Sequence, residues 1–482
     1  MYLVINLGLK SIRGIIFNTV GKKIYSKSFE INTFINHGFV EQSSEEYVYY
    51  LNKIFKDIKN KKLSKKIKYI STTTSASCLL FLNKKKKYIS NIYMVLDNRV
   101  KELSEKLNTK LRSNIFNIDD QILKVLWFLK NSKKNTALAH VLNSGDYLNF
   151  LITGQIFTDK LNFKKLINNK YNLLSKLEKK NLIKKSIFPK CYEIGTSFNI
   201  DKKFVKKYNL DINAKFILTT YDAICATIGS SNSNKPFNNI SEVSGTVTSV
   251  RLITKKLKKL KNKNLKVSSI PLLDIHIIGA SNNLGGGLIG WLKDFLLNKI
   301  NFKSIEKYFK KSNGNLFFLP LIFGDRYLDI NSDNGGVVYG LKRNSNLFDF
   351  VKAGILSAGF MSRKYMDDIA AEGFKIKSVT LSGGLTRISF INKIKAEIFA
   401  KKTFLCNEYE STAFGCFLIM MAKVNKQKFT SICKFIKTKQ VTINKKNYEF
   451  DYKNFLKLLE NYKNTNYSIK NKKISSIYNT FL

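Results

Sequence analysis

A strand–glycine-turn–strand unit opens the chain and recurs about halfway along it. No other feature constrains the fold as much. Residues 2–7 form an apolar run, Gly8 a turn, and residues 12–17 a second apolar run; a third strand follows Gly21 over 23–29. Alternation with short turns predicts a β-hairpin or meander. Near Glu242 the pattern restarts, and 243–253 again reads strand, glycine turn, strand around Gly245. A third turn, Ser382-Gly383-Gly384, ends a strand and precedes a helix over 389–400. We expect an α/β chain of two domains of like plan, 1–238 and 239–482.

Between these anchors, helical periodicity runs over 44–58, with Ser43 or Ser44 as N-cap and Glu45 and Glu46 in the first turn. A strand at 67–73 leads into the small residues 74–78. The stretch 100–217 reads as mostly helical, broken at Gly145, Gly154 and Pro189. Further helices are expected at 290–297, 305–310 and 347–371.

With 44% hydrophobic and 13% aromatic residues the chain can bury a large core, which excludes a disordered polybasic tail. Its net charge is +49, from 83 Lys+Arg against 34 Asp+Glu. Eight of the 83 are arginine, leaving 83 − 8 = 75 lysines, dispersed in short runs such as 84–87 and 255–261. Nucleic-acid readers lean on arginine for bidentate contacts, so the expectation is a solvated surface and no specific nucleic-acid partner. An attraction for anionic substrates is a side effect of that charge. The longest apolar run near the C-terminus, 416–422, is far short of the roughly 18–20 residues of a spanning helix. The N-terminus lacks the basic start of a signal peptide. A soluble, cytoplasmic protein without membrane partner is expected. Six cysteines without a C-x-x-C pair, and only three histidines, argue against a zinc site.

Several residues could carry chemistry. Gly8, with Lys10, Ser11 and Arg13 behind it, is either an ordinary hairpin turn or a turn that aims N–H groups and cations at a phosphate. Gly245-Thr246 repeats the arrangement with a hydroxyl, and Ser382-Gly383-Gly384 would open a helix N-terminus that favours anions. Three such turns in two α/β domains could clamp a nucleotide's phosphates. Asp222, after a strand and opening a small-residue helix, is either an N-cap or a general base. Asp97-Asn98-Arg99 is either a surface turn or a polyol-recognition triplet.

Taken in order, these pieces resemble the FGGY family of carbohydrate kinases over nearly the whole chain. The series runs through the opening strand pair with Ser11 and Arg13, Gly38-Phe39-Val40-Glu41-Gln42, Leu96-Asp97-Asn98-Arg99 and Lys124-Val125-Leu126-Trp127-Phe128. It continues with Asp146-Tyr147-Leu148, Leu151-Ile152-Thr153-Gly154, Tyr221-Asp222-Ala223, Ser244-Gly245-Thr246 and Gly285-Gly286-Gly287. Leu319-Pro320 with Gly324-Asp325-Arg326, Ser382-Gly383-Gly384 and the element 408–415 complete it.

The resemblance implies a duplicated actin-like ATPase (ribonuclease H-like) α/β fold, two domains with a central cleft. Sugar would bind mainly to the N-terminal half and ATP in the cleft, with Mg²⁺ as cofactor and a small sugar or polyol as substrate. It leaves a homodimer open. By position, Asp222 would be the catalytic base and a substrate contact, and it would share the Mg²⁺ with Asn6. Gly8, Lys10, Ser11 and Arg13 would serve one phosphate loop, and Gly245, Thr246, Gly286, Gly383 and Gly384 the nucleotide. Ser77, Cys78, Asp97 and Arg99 fall in substrate-side segments, although Ser77 and Cys78 differ in type from the best-known members. The family's first strand ends in Asp-x-Gly-Thr, whereas this chain has Asn6-Leu7-Gly8-Leu9. Lys10 could compensate by bringing positive charge to the phosphates. The alternative is a weak or inactive relative that binds sugar or nucleotide as a sensor.

Overall fold

Tyr2–Leu7 is buried at every position and forms strand β1 of the computed structural model. A strand without an exposed face must be covered on both sides. β1 pairs antiparallel with β2 (Ser11–Phe17), which pairs antiparallel with β3 (Lys23–Glu30). On its other edge β1 runs parallel to β4 (Tyr69–Thr74). Two short strands, β5 (Ser197–Asn199) and β6 (Lys215–Ile217), complete the six-stranded order β5-β6-β4-β1-β2-β3, with β6 parallel to β4 and β5 antiparallel to β6.

The structure describes residues 1–110, 116–167, 173–245, 247–295, 304–312, 314, 316–325, 327–328, 330, 335–407, 410–443 and 446–478. The chain divides into two units. The first comprises Met1–Gly229, Ile270–Asp274 and Glu410–Phe435; the second comprises Ser230–Ser269, Ile275–Tyr409 and Ile436–Leu482.

In the first unit, helix α1 (Ser44–Asn60) begins as its sequence predicts, with Ser43 Oγ accepting the N–H groups of Glu45 and Glu46. Tyr47, Leu51, Ile54, Phe55 and Ile58 lie on its buried face. Such side chains contribute about 1.5–3 kcal/mol each. Helices α2 (Gln121–Asn131) and α3 (Ser144–Thr153) follow, and α4 (Asp222–Gly229) leaves the end of the β6 segment. The late helix Ser411–Val424 joins this unit because it packs against α4 with almost no side chain between. A Cβ on Gly415 would stand 1.8 Å from the Cys225 carbonyl oxygen.

The second unit repeats the plan. Strands β7 (Asn239–Ser244), β8 (Thr248–Thr254), β9 (Lys266–Ile270), β10 (Ile275–Asn282), β11 (Ser378–Ser382), β12 (Lys402–Cys406) and β13 (Thr438–Gln440) form one sheet in the order β9-β10-β8-β7-β11-β12-β13. As in the first unit, an antiparallel meander (β7, β8, β10) adjoins two parallel strands (β11, β12) and a final antiparallel strand (β13). This is the duplication expected of an actin-like fold. Helices α5 (Gly286–Phe295), α6 (Leu347–Ala371) and α7 (Ser389–Phe399) belong to this unit.

Three expectations need correction. Gly145 does not break a helix: it lies in the first turn of α3, because Asn143 and Asp146 form a reciprocal capping box around it. Among the described residues, the stretch 100–217 holds five short strands between its helices, at His140–Asn143, Phe157–Asp159, Lys190–Tyr192, β5 and β6. Three or four residues are too few for a period-2 signal. Gly286 and Gly287 begin helix α5 instead of preceding it, and Gly384 opens a short 3₁₀ turn, Gly384–Arg387, with α7 starting only at Ser389. Among the described residues no helix is long and apolar enough to cross a membrane. All six cysteines are free.

Candidate functional site

β4 ends in a run of hydroxyls, Ser71-Thr72-Thr73-Thr74, and a strand's period of two puts Ser71 and Thr73 on one side. Ser71 Oγ lies 2.9 Å from Thr219 Oγ1, and Thr73 Oγ1 donates to the Thr220 carbonyl at 2.9 Å. Just past the strand end, Ser75 Oγ donates to Asp222 Oδ2 at 3.0 Å. This ladder pins the segment after β6 rung by rung. Asp222 Oδ1 accepts the Ala223 N–H at 2.7 Å, so each carboxylate oxygen has a donor. Asp222 is partly exposed at the start of α4, at the carboxyl ends of parallel strands where open α/β sheets bind ligands.

The loop beside it is tightly drawn. Ser77 has φ +64°, the left-handed region that non-glycine residues seldom occupy. Cys78 is buried, and burial, with a smaller contribution from the Asp222 charge, pushes its thiol up to about 11. It therefore stays a neutral thiol. Asn6 is buried near the end of β1, opposite Arg13 on β2 and Thr73 on β4. The Gly8 N–H closes its own turn by donating to the Ser11 carbonyl at 2.9 Å. Lys10 is exposed. Arg13 donates to both Glu410 carboxylate oxygens, at 3.1 and 2.9 Å, and to Ser11 Oγ at 3.3 Å.

Asp97 and Arg99 form a clasp. The Asp97 carboxylate, fully buried, accepts from the Val40 N–H at 2.7 Å, the Arg99 N–H, Arg99 Nε at 2.6 Å and an Arg99 terminal nitrogen at 2.8 Å. Arg99 also pairs with Glu41 and sits 3.3 Å from the Tyr93 ring centroid, flanked by Phe39 and Trp127. In this arrangement both side chains hold the 94–99 loop to the strand Phe39–Gln42. Lys124 supports the same loop: its ammonium is fully buried and donates to the Met94 carbonyl at 2.6 Å. Burial lowers its pKa to about 8, against the opposing pull of Asp97 and Cys78.

In the second unit the glycine turns meet along the edge formed by the carboxyl ends of the central strands β7 and β11. Gly383 has φ +92°, and a Cβ there would stand 2.5 Å from the Ser244 carbonyl oxygen, so only glycine fits. The Gly286 N–H donates to the Gly245 carbonyl at 2.7 Å, and Gly384 faces open space. Beneath this edge lies a buried charge pair. Lys395 on α7 donates to Glu242 Oε1 at 2.5 Å and to Ser244 Oγ at 2.8 Å. Thr246, together with Arg326 and Glu408 of the motif series, lies outside the described residues.

The structure thus groups Ser75, Ser77, Cys78 and Asp222 in the first unit, and Gly245, Gly286, Gly383 and Gly384 in the second. Asp97 and Arg99 form their own cluster, tied to Cys78 through the Val95 backbone of their loop and through the charge of Lys124. Sequence reading missed the ladder, Lys124 in its buried role, and the Glu242–Lys395 pair. The unbroken run of hydroxyls from Ser71 to Ser75 was the available signal for the first. A surface depression lined by Glu102, Glu105, Lys106, Thr109 and Lys110 contains none of the candidate residues.

The sequence model described as the FGGY family of carbohydrate kinases, N-terminal domain, matches residues 1–167, and its C-terminal counterpart matches residues 243–423. The chain is 22% identical to a xylulose kinase of Lactococcus lactis over 454 residues, covering 86% of each chain. A ligand-bound xylulose kinase from Lactobacillus acidophilus superposes with TM-score 0.84 at 20% identity, covering 98% of this chain and 99% of its own. A Plasmodium falciparum glycerol kinase with ADP gives TM-score 0.79 at 17% identity, covering 96% of this chain and 98% of its own.

Proposed function

The chain belongs to the FGGY family of carbohydrate kinases, and from that premise we propose that it transfers the γ-phosphoryl group of ATP to a hydroxyl of a sugar or polyol, with Asp222 as general base. The observation that supports this reading most is the fixed, partly exposed Asp222 carboxylate at the strand ends. Asp222 takes the hydroxyl proton as the substrate oxygen bonds to the γ-phosphorus and the bond to the β–γ bridging oxygen breaks, releasing ADP. The clustered turns at Gly245, Gly286, Gly383 and Gly384 suit close approach of a nucleotide to the backbone, and Thr246, next in sequence to Gly245, is the hydroxyl candidate. Lys10, Ser11 and Arg13 are the phosphate-loop candidates of the first unit. Ser77 and Cys78 would line the sugar, and the Asp97–Arg99 clasp would shape its loop from behind.

Among the described residues no three His, Cys, Asp or Glu side chains converge as a metal site. Mg²⁺ usually binds through one or two carboxylates plus phosphates and water. Asp222 and the Asn6 amide oxygen are the groups that would hold it. When bound, Mg²⁺ neutralises charge between the β- and γ-phosphates. Free cysteines and an ATP-dependent reaction are in keeping with the cytoplasm.

Asn6 in place of an acid favours a second reading, an inactive relative that binds sugar or nucleotide as a sensor. The test is a panel of ketoses, polyols and aldonic acids incubated with Mg-ATP, with sugar phosphate followed by ³¹P NMR. Turnover of at least one substrate supports the kinase. Sugar-dependent thermal stabilisation without turnover of any supports the sensor.

A further inference from the structure

We infer that Ser75 is a positioning residue for the phosphoryl transfer: its hydroxyl sets the plane of the Asp222 carboxylate. The inference rests on the reading of Asp222 as the base. A carboxylate turns about its terminal torsion in a broad, roughly two-fold well, so position alone does not aim its lone pairs. Here one donor meets each oxygen. The Ala223 N–H reaches Oδ1 at 2.7 Å from the next residue of the same helix, and Ser75 Oγ reaches Oδ2 at 3.0 Å from the other side. The helix donor moves with Asp222 itself. Ser75 ties the carboxylate to an independent frame.

That frame is rigid. The Ser75 N–H donates to the Leu7 carbonyl of β1 at 3.0 Å, and its own carbonyl faces the Ser144 hydroxyl of α3 at 3.5 Å. Ser75 is nearly buried, so water competes poorly for its hydroxyl. The rungs below it, Ser71 to Thr219 and Thr73 to Thr220, hold the backbone leading into Asp222 but do not touch the carboxylate. The ladder therefore separates two jobs. Ser71 and Thr73 fix where the residue sits, and Ser75 fixes where its oxygens point. Proton abstraction depends on that aim, because reacting groups displaced by about 1 Å can lose about 10²-fold in rate. Losing the Ser75 donor leaves partial order, because the Ala223 N–H still holds Oδ1, so a loss of about tenfold is expected.

The test compares Ser75→Ala, Ser75→Thr and Ser71→Ala with the wild-type chain under steady-state kinetics, once a substrate is in hand. Ser71→Ala removes a rung of similar length and burial, so it reports the structural share of any loss. The expected result is a kcat lowered about tenfold in Ser75→Ala, with both KM values within about twofold. Ser71→Ala should lower kcat at least about fivefold less while lowering the melting temperature comparably. Ser75→Thr, which keeps the hydroxyl, should recover most of the lost kcat. Equal kcat losses in Ser75→Ala and Ser71→Ala, a loss confined to KM, or a folded Ser75→Thr as slow as Ser75→Ala would each overturn the inference. Asp222→Asn assayed alongside reads the base assignment separately. Full turnover in that variant removes the base, whereas an inert Asp222→Asn beside an unaltered Ser75→Ala removes only the positioning role.

Discussion

Replacing Lys395 by methionine should strongly destabilise the second unit. The Lys395 ammonium is nearly buried and meets the fully buried Glu242 carboxylate at 2.5 Å. Methionine reproduces most of the lysine stem, so little packing is lost. What remains is a carboxylate with no cation: Oε1 keeps the hydroxyls of Ser244 at 2.9 Å and Ser362 at 3.4 Å, and Oε2 has no partner among the described residues. Breaking a buried pair from one side costs about 3–5 kcal/mol. At about 2–4 °C per kcal/mol for a unit of this size, the melting temperature should fall by roughly 6–20 °C. Removing both charges avoids the orphan, so Glu242→Leu with Lys395→Met should lie near wild type or up to a few kcal/mol above it, about 1–4 kcal/mol at most. The two tryptophans, Trp127 and Trp291, fall one in each unit. Urea unfolding read through Trp291 in a Trp127→Phe background therefore reports the second unit alone. A Lys395→Met variant within about 1 kcal/mol of its parent, or a double variant no better than the single, would refute the reasoning.

Lys124 should make stability depend on pH. Its folded pKa, about 8, lies below the ordinary 10.5, so between these values the unfolded chain binds more protons and stability rises with pH. Melting curves of wild type and Lys124→Met should therefore show wild type gaining relative to the variant across that window, and a constant gap would contradict the assignment; Cys78, whose raised pKa acts in the opposite sense above its ordinary 9, is common to both chains. Asn6→Asp should lower the Mg²⁺ requirement and raise turnover about tenfold, roughly 1.4 kcal/mol of barrier. Titrating Mg²⁺ in both proteins checks this, and a flat or reduced rate would mean that the new carboxylate pairs with Arg13 opposite it or with Lys10. Duplex DNA should bind only at low salt, because dispersed lysines give counterion release without base readout; a sequence-specific complex that survives about 0.2 M salt in a gel-shift titration would overturn that view of the charge.

The features legible in the sequence are those carried by local periodicity. β1, β2 and their restart at β7 and β8 were readable because an apolar run, a glycine and a second run lie within one hairpin. The long helix Leu347–Ala371 was readable end to end, since Asn346 and Asp349 cap it reciprocally. Gly145 misled because its capping box draws on Asn143 and Asp146, a pattern stronger than the glycine it encloses. The site was legible only by residue type. Asp222 stood out as a lone acid, but its partner Ser75 is 147 positions away and joins it only when β4 and β6 align. Asp97 and Arg99 were visible as a triplet. The Val40 N–H, Glu41 and the three rings that occupy them come from other segments, which no spacing rule connects.

The most direct measurement is ATP-dependent phosphorylation of the best substrate by wild-type protein and Asp222→Asn, with nucleotide affinity determined in the same preparations. In the proposed reading Asp222 takes the proton that moves, and it lies in the unit that does not carry the clustered glycine turns. The account predicts that kcat falls by about 10²–10⁴-fold while nucleotide affinity and melting temperature stay near wild type. Wild-type turnover in the Asp222→Asn variant would contradict it and leave Asp222 as the cap of α4.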